Sequence, residues 1–382
     1  MRWRRWHRAE GLGPLVWAAM TLPPSGRIAI VHDYLTQRGG AERLVGEMAR
    51  LLPDAEVHAS VVDPDQVPDS LRAARIRTTP LQHVFERGVP LTALAPLMPT
   101  AFGRMRLDDA DIVLSSTTAF AHHVRPRAGA VHLAYCHAPP HFLWATDEYF
   151  RRRPIRGWLA APALAIARRS DRAAARRVDK YIANSRYTAA RIREVYDRDA
   201  RVIHPPIETT LFEPTDERSG RFLIVSRLRR HKRLDLAISA ATRFDLPLDI
   251  IGDGPDDAVL RADAGQTVRF HGRLPDDTVR SAMARCLALI VPGIEDFGMT
   301  LPEVQAAGRA PVAFARGGAL EIIEDGVTGF LFDEPTVESL AAAMARAAET
   351  ELDRATLAAS ARRFDRAVFD ARMLGVLADA RG

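Results

Sequence analysis

The chain has 382 residues, more than a single hydrophobic core usually organises, so two domains are expected. Hydrophobic residues make up 47% and charged residues 26%, as in ordinary globular proteins, and no apolar run approaches the roughly 18 residues of a bilayer-spanning helix. Cys136 and Cys286 are the two cysteines, which argues against a disulfide framework and for a reducing, cytoplasmic location. The net charge of +5 indicates an anionic partner: nucleic acid, a membrane surface or a phosphorylated small molecule.

Residues 1–26 begin with basic side chains and carry a short apolar patch. Gly13 and Pro14 interrupt this patch and no small-residue cleavage site follows it, so a secretory signal is disfavoured. We expect a disordered leader, or a translation start assigned too early. The alternative is an interfacial anchor, because Trp and Arg together favour the membrane–water boundary.

From Arg27 onwards, apolar runs alternate with amphipathic segments. Strands are predicted for RIAIVHDYL, AEVHASVV, ADIVLSST and AVHLAYCHA, and a helix for AERLVGEMARLL. KYIANS then leads into the helix RYTAARIREVY, and ARVIHPPI follows. Pro205-Pro206 cannot continue a regular element, so the N-terminal domain is predicted to span residues 27–205.

The same alternation resumes after these prolines. RFLIVSRL, LPLDIIGDG, VRFHGRL, ALIVPG and APVAFA are predicted strands, and RLDLAISAATRF, DDTVRSAMARC and LPEVQAAG are predicted helices. The pattern predicts an α/β protein with two Rossmann-like, doubly wound parallel sheets. Ligands of such sheets bind at the carboxyl ends of the strands, so we expect a ligand in a cleft between the two domains. The second domain would span residues 206–365, and residues 366–382 would form a C-terminal helix that can cross back to the first domain.

Residues 151–179 are heavily basic, with Asp171 and Asp179 as the acids of the segment. The segment is interpreted either as the solvated face of a domain helix or as a contact surface for anionic lipid or a phosphorylated acceptor.

A second basic cluster, SRLRRHKRLDL, follows the first predicted strand of the second half. Cations at the start of a helix are unfavourable, so this cluster predicts a bound anion such as phosphate. A solvated basic loop explains Arg229, Arg230 and Arg233 better than Arg227 and Lys232, which flank the turn.

Other nucleotide and metal motifs are weak or incomplete. No P-loop occurs, and GDGP at 252–255 lacks the third glycine of the dinucleotide fingerprint. Gly39-Gly40 lies between a strand and a helix, where the backbone can approach an anion closely. His132, Cys136, His137 and His141 lie within ten residues but lack zinc-site spacing, so no metal is expected.

The stretch PGIEDFGMTLPEVQAAG holds two glutamates eight positions apart, Glu295 and Glu303. Thr300 followed by Glu303 fits a helix capping box, which would explain Glu303 structurally. Glu295 has no such explanation and lies in the loop after a buried strand, where ligands bind.

These features together resemble the retaining GT-B glycosyltransferases of family 4, from Arg27 to about Phe369. The motifs occur in a fixed order: Gly39-Gly40, YCHAPP, IANS, the Arg227–Lys232 pair, IGDGP, HGRL, the glutamate pair around Phe297-Gly298, and GGALEIIEDGVTGFLF. HDYLTQRGGAERL and YCHAPPHFLW are similar to bacterial mannosyltransferase-type members that build surface polysaccharides. Asp296 and Met299 depart from the family's usual E-G-F-G-L, which bears on donor choice.

The resemblance implies roles for individual residues. Arg227 and Lys232 would hold the donor diphosphate, Glu303 the ribose hydroxyls, and Glu295 the donor sugar. Gly39 and Gly40 would lie near the donor phosphate and the acceptor. His137 would lie near the reacting carbon of the sugar, and Arg273 near the base. Sugar hydroxyls and phosphate would be held by the backbone of Phe297, Gly298, Met299, Thr300 and Leu301.

The implied reaction transfers a hexose, with mannose favoured, from a nucleotide-sugar to a saccharide or polyprenyl-linked saccharide with retention of anomeric configuration. No metal or other cofactor is implied, since side chains would neutralise the leaving group. The implied location is the cytoplasm, where the protein could also bind peripherally to the inner face of the membrane.

Three alternatives remain open at this point. A GT-B-shaped nucleotide-sugar epimerase would bind donor but fail a transfer assay, and an NAD-dependent dehydrogenase would bind NAD. A non-enzymatic nucleic-acid-binding module would bind mixed-sequence DNA in a salt-sensitive way. Trp158 is the only aromatic residue in segment 151–179, so nucleic acid is not the expected partner.

Overall fold

The structure is a computed structural model that describes residues 26–144 and 154–380, with the backbone alone for residues 154–160. The predicted leader, except for Gly26, and the start of the basic segment lie outside the described residues.

Seven strands form the first sheet, in the order β3-β2-β1-β4-β5-β6-β7. Their bounds are β1 Ile28–His32, β2 Glu56–Ala59, β3 Ile76–Thr78, β4 Ile112–Thr117, β5 Val131–Cys136, β6 Lys180–Ala183 and β7 Ala200–Val202. Strand β1 pairs in parallel with both β2 and β4, and Ile30 is in register with Val57 and Leu114. All five residues of β1 are buried, which explains its unbroken apolar sequence, because both faces of a parallel sheet are covered.

Six strands form the second sheet, in the order β10-β9-β8-β11-β12-β13. Their bounds are β8 Phe222–Val225, β9 Leu248–Ile251, β10 Val268–Gly272, β11 Ala288–Val291, β12 Ala310–Phe314 and β13 Phe330–Phe332. Along β8, Phe222 and Ile224 belong to one core cluster, while Leu223 belongs to a second. The period of two in a strand therefore places hydrophobic cores on both faces of this sheet.

The described helices connect these strands. Those of the first half are α1 Gly40–Leu51, α2 Leu81–Phe85, α3 Leu91–Leu94, α4 Met98–Gly103, α5 His141–Trp144, α6 Pro154–Ala175 and α7 Arg186–Tyr196. The later ones are α8 Leu234–Arg243, α9 Asp257–Ala262, α10 Asp276–Arg285, α11 Thr300–Ala306, α12 Ala319–Ile322, α13 Val337–Glu349, α14 Arg354–Arg362 and α15 Arg366–Asp379. None of the helices in the described ranges is long and apolar enough to cross a membrane.

By compactness, the described chain divides into two units. Of the described residues, the first unit contains 26–135, 173–180 and 367–380, and the second contains 136–144, 154–172 and 181–366. Within the first unit, Arg50 of α1 donates to both carboxylate oxygens of Asp370 in α15, at 2.5 and 2.7 Å. The domain bounds drawn from the sequence remain predictions.

The α/β fold with two parallel sheets is confirmed, and each predicted strand and helix core is present within a few residues. The sequence patterns missed β3 and β13. Each of these strands has three residues and lies at a sheet edge, too short to show a period of two.

Candidate active site

The candidate site lies where the strand order of the second sheet reverses. From β8 the chain proceeds outward to β9 and β10, and then returns to place β11 on the other side of β8. The loops after β8 and β11 therefore leave the same sheet edge in different directions. In doubly wound sheets this topological switch point is the usual ligand-binding crevice.

Two predicted residues meet at this switch point. Lys232 lies in a 3₁₀ turn, Arg230–Lys232, that follows β8, and Glu295 lies in the loop after β11. The Nζ of Lys232 donates to both carboxylate oxygens of Glu295, each at 2.7 Å. The two side chains are only 17% and 19% exposed. The pair is thus well shielded from solvent, and Glu295 holds the Lys232 side chain in place.

Close backbone approaches hold the two loops in place. A Cβ on Gly293 would lie 2.8 Å from the carbonyl oxygen of His231, so the glycine lets the loop after β11 pack on the turn after β8. The N–H of Gly318 donates to the Glu295 carbonyl at 2.8 Å, and a Cβ on Gly318 would lie 2.3 Å from the Phe297 carbonyl. Larger residues at these two glycines would displace the Glu295 loop.

Positive charge accumulates around the turn after β8. Desolvation, and then the charges of Lys232, Arg227, His141 and Arg229, lower the pKa of His231 to about 4. Burial and the neighbouring cations together disfavour a further positive charge at this turn. A cluster of this kind is suited to an anion such as a diphosphate. The sequence predicted the arginines and the lysine but gave no sign of His231.

Asp296 contacts a residue from a distant part of the chain. Its Oδ2 lies 3.1 Å from Nε2 of His141, at the start of α5. The two side chains are 42% exposed for His141 and 28% for Asp296. The sequence shows Asp296 only as a departure from the family motif, and the folded chain gives it a partner.

The backbone at residues 297–301, which is predicted to hold the donor, comes directly after Asp296 in the chain. Phe297 is 3% exposed and its ring stacks on His204, with centroids 5.5 Å apart. Gly298 has φ of +89°, a conformation that favours glycine, and Leu301 is fully buried. Since the side chains of Phe297 and Leu301 belong to the core, only their backbone groups could face a ligand.

The capping-box prediction for Glu303 is wrong. Helix α11 begins at Thr300, and its cap residue is Met299, which makes no side-chain capping hydrogen bond. Thr300 therefore lies inside the first turn rather than at the cap, which shifts Glu303 one position too far for the motif. Glu303 is 4% exposed, so capping does not account for its buried carboxylate.

The predicted glycine pair lies in the first unit, after β1. Gly39 caps α1 with φ of −121°, and its N–H donates to the carboxylate of Glu42 at 3.0 Å. Gln37 donates to the same carboxylate at 3.0 Å, and His32 lies 3.8 Å from it. Burial, the largest single cause, would lower the pKa of His32, but Glu42, Asp33 and the Ser116 carbonyl together raise it. The turn at Gly39-Gly40 is therefore held by a buried carboxylate that the sequence did not single out.

Asp33 is a second residue that sequence patterns missed. Its carboxylate is buried and accepts hydrogen bonds from the N–H groups of Thr118, Ala119, Phe120 and Ala121, at 2.5 to 2.9 Å. Strands β1 and β4, which precede these segments, are neighbours at the switch point of the first sheet. Asp33 thus ties the two loops of that switch point together.

The other predicted residues occupy the ends of strands. His137 follows β5 and is 8% exposed, and its backbone carbonyl accepts from Asn184 Nδ2 at 2.9 Å and Thr188 Oγ1 at 3.2 Å. Arg227 and Arg273 are exposed and follow β8 and β10. Among the predicted site residues, the structure shows a direct contact between Lys232 and Glu295. The roles predicted for the site residues in binding and catalysis remain predictions.

Burial shifts the pKa values of titratable side chains on β5 and just before β11, and the prediction that no metal binds stays a prediction. Burial, and then the charges of His122 and Arg177, lower the pKa of His132 to about 3, and its Nε2 is 2.9 Å from Ser115 Oγ. Both cysteines are buried and neither forms a disulfide, and burial raises the pKa of Cys286 to about 12. Cys286 is therefore not prepared as a thiolate ligand at neutral pH.

Two family models and several solved structures of other proteins match this chain. Residues 38–211 match the model of Glycosyltransferase Family 4, and residues 210–364 match that of Glycosyl transferases group 1. Among solved structures, Anabaena HepE in complex with UDP and glucose superposes with a TM-score of 0.70 at 20% identity, over 92% of this chain and 99% of that one. Sucrose-phosphate synthase from Thermosynechococcus elongatus gives 0.71 at 17% identity, over 93% and 98%.

These structural similarities define the class as the GT-B fold. The two family matches adjoin and together run from residue 38 to residue 364, so the chain belongs to the GT-B glycosyltransferases of family 4 type.

Curated relatives match over part of their length. Glycogen synthase from Pseudomonas syringae pv. syringae is 29% identical over 276 residues, which are 69% of this chain and 52% of the relative. D-inositol 3-phosphate glycosyltransferase from Nocardioides sp. is 26% identical over 224 residues, 48% of this chain and 49% of the relative. The chain thus spans about half the length of the curated relatives it matches.

Proposed function

We propose that this protein transfers a hexose from a nucleotide-sugar to a hydroxyl of a saccharide acceptor, with retention of anomeric configuration. The observation that carries the proposal is the Lys232–Glu295 pair at the switch point of the second sheet, surrounded by the cations that lower the pKa of His231. Such a crevice offers positive charge for a diphosphate beside a carboxylate that can accept bonds from sugar hydroxyls.

The proposed chemistry breaks the bond between the anomeric carbon and the diphosphate oxygen and forms a bond from that carbon to the acceptor oxygen. The acceptor proton passes to the departing phosphate on the same face of the sugar. Lys232 and Arg227 would stabilise the negative charge that grows on the diphosphate, and fixed charges of this kind usually contribute most to the rate. We propose that these cations replace a metal, so no cofactor is required.

The remaining roles follow from position. Glu295 would exchange part of its contact with Lys232 for a sugar hydroxyl, and Glu303 would hold the ribose. His137 would lie near the reacting carbon, Arg273 near the base, and the backbone at 297–301 near the sugar. The two glutamates are not a hydrolytic pair, because Glu303 is assigned to the nucleotide.

The donor sugar is the least constrained part of the proposal. The sequence resemblance favours mannose, and hence GDP-mannose. The names of the relatives instead point to glucose-type donors, since HepE has also been solved with UDP-glucose and the curated relative is a glycogen synthase. We therefore propose a hexose donor with UDP-glucose tested first and GDP-mannose second.

The acceptor is proposed to be a polyprenyl-linked saccharide at the inner membrane face. Helix α6 supports this, since Ile166 on it is 69% exposed and Arg169, also exposed, lies near it in sequence. An exposed apolar side chain near an arginine suits the interface of an anionic bilayer. Binding to phosphatidylglycerol vesicles but not to phosphatidylcholine vesicles would support peripheral attachment; equal or no binding to both would contradict it.

A donor panel tests the function directly. UDP- and GDP-linked glucose, galactose and mannose are offered to the purified protein, and binding, slow hydrolysis and transfer to saccharide acceptors are measured. We expect hydrolysis of one donor and a product whose anomeric configuration, read by NMR, equals that of the donor. Donor binding without transfer or hydrolysis would favour the epimerase, and binding of NAD alone would favour the dehydrogenase.

A further inference from the structure

The contact between His141 and Asp296 joins two segments that carry proposed reaction residues. Asp296 lies directly between Glu295, which is bonded to Lys232, and Phe297, which is packed in the core. Its backbone is therefore fixed on both sides. The side chain reaches His141 at 3.1 Å, four residues after His137.

The segment from His137 to His141 is short and stiff. Its first residue is anchored through the carbonyl of His137, which accepts from Asn184 and Thr188. Pro139 and Pro140, which follow, have fixed φ angles and are buried. The segment is thus held at His137 by Asn184 and Thr188 and at His141 by Asp296.

Stability does not explain why this pair exists. Both side chains are partly exposed, and ion pairs of this kind contribute between zero and about 1 kcal/mol. His141 also lies close enough to His231 to lower its pKa, so the pair borders the cationic turn that holds Lys232. Its position beside the proposed donor site is better explained by a role in the reaction.

We propose that Asp296 and His141 are positioning residues for the glycosyl transfer. The bond from His141 Nε2 to the Asp296 carboxylate fixes the segment that carries His137 against the loop that carries Glu295. Alignment of these two segments would matter more for the transition state than for donor binding, so its loss would lower kcat more than it weakens binding. This inference rests on the proposed glycosyltransferase function.

The test compares Asp296→Gly, which restores the glycine usual at this position, with His141→Ala, His141→Gln and the double variant Asp296→Gly/His141→Ala. For each we would measure kcat and KM for transfer, Kd for UDP, and the thermal midpoint. His83→Ala, which disrupts the exposed pair of His83 with Glu86, is the control and should leave kcat unchanged.

We expect Asp296→Gly and His141→Ala each to lower kcat by about 10- to 100-fold, as small misplacements in an active site do, while UDP Kd changes by less than about threefold. The double variant should lose no more than the worse single variant, because one contact is removed. His141→Gln should keep most activity, since its amide can still donate to Asp296.

Three results would overturn the inference while leaving the proposed function intact. These are near-normal kcat in Asp296→Gly, multiplied losses in the double variant, or a loss of UDP binding as large as the loss of kcat. A wild-type protein that transfers no hexose from any donor would instead overturn the proposed function, and the inference with it.

Discussion

Lys232 and Glu295, which are 63 residues apart in sequence, share two hydrogen bonds of 2.7 Å at the switch point of the second sheet. Each residue follows one of two neighbouring parallel strands, β8 and β11. The pair therefore places a cation suited to phosphate beside a carboxylate suited to sugar hydroxyls.

Replacing Lys232 with Ala should lower kcat for transfer by about 100- to 1,000-fold, because a fixed cation that stabilises the leaving group is removed. Arg230→Ala, in the same turn but exposed, is the matched control and should lose far less. Steady-state kinetics with a saturating donor would show the difference. Near-normal transfer by Lys232→Ala would contradict the phosphate-clamp assignment.

Replacing Glu303 with Ala should weaken UDP binding by about tenfold or more, since a carboxylate hydrogen-bonded to ribose is worth about 1.5–3 kcal/mol. Met299, the cap residue of α11, makes no side-chain capping bond, so Glu303 is not half of a capping box. Titration calorimetry with UDP, with Glu303→Gln as the isosteric comparison, measures the effect. A variant that lost thermal stability but bound UDP normally would show that the buried carboxylate is structural alone.

The pKa of His231, about 4 in the free protein, should rise when UDP binds. Burial, the largest cause of the low pKa, would remain, but bound phosphate would offset the neighbouring positive charges, so the pKa of His231 would rise in the complex. Nucleotide affinity would then increase as pH falls through the raised pKa. Histidine C2-H shifts followed by NMR, with His231→Gln to assign the signal, would report the change. An unchanged pKa would place the anion elsewhere.

Replacing Asp33 with Ala should destabilise the protein by about 3–5 kcal/mol, because several buried N–H groups between Thr118 and Ala121 lose their acceptor. Asp33→Asn should lose part of that amount, since one amide oxygen cannot replace two carboxylate oxygens. Denaturant unfolding monitored by circular dichroism measures both. Asp54→Ala, in an exposed turn, should change stability by less than about 0.5 kcal/mol. A loss in Asp33→Ala no larger than this would contradict the assigned role.

Local patterns suffice for most of the secondary structure and for the loops that carry the site. Helix α7 matches its predicted end residues, because Ser185 caps it through a bond to the Thr188 N–H and Tyr196 closes its last buried turn. The strands β1 and β11 are visible as unbroken apolar runs. The capping-box prediction at Thr300 fails because the helix begins one residue earlier than that motif requires, with Met299 as its cap residue.

Pairings between distant residues are beyond such patterns. Asp33 and Asp296 resemble ordinary loop acids, since nothing next to them in sequence identifies Thr118 or His141 as a partner. Likewise Glu42 resembles a helix surface residue, although it is 2% exposed and holds the N–H of Gly39.

Periodicity, glycines and prolines act over a few residues, so the amino-acid sequence is enough to establish the two-sheet α/β architecture and the loops in which Lys232, Glu295 and Glu303 lie. Only the folded chain reveals that Lys232 bonds Glu295, that Asp296 bonds His141, and that Glu303 does not cap its helix. The Lys232–Glu295 contact depends on strand order, which places the ends of β8 and β11 side by side, and strand order is a property of the whole folded chain.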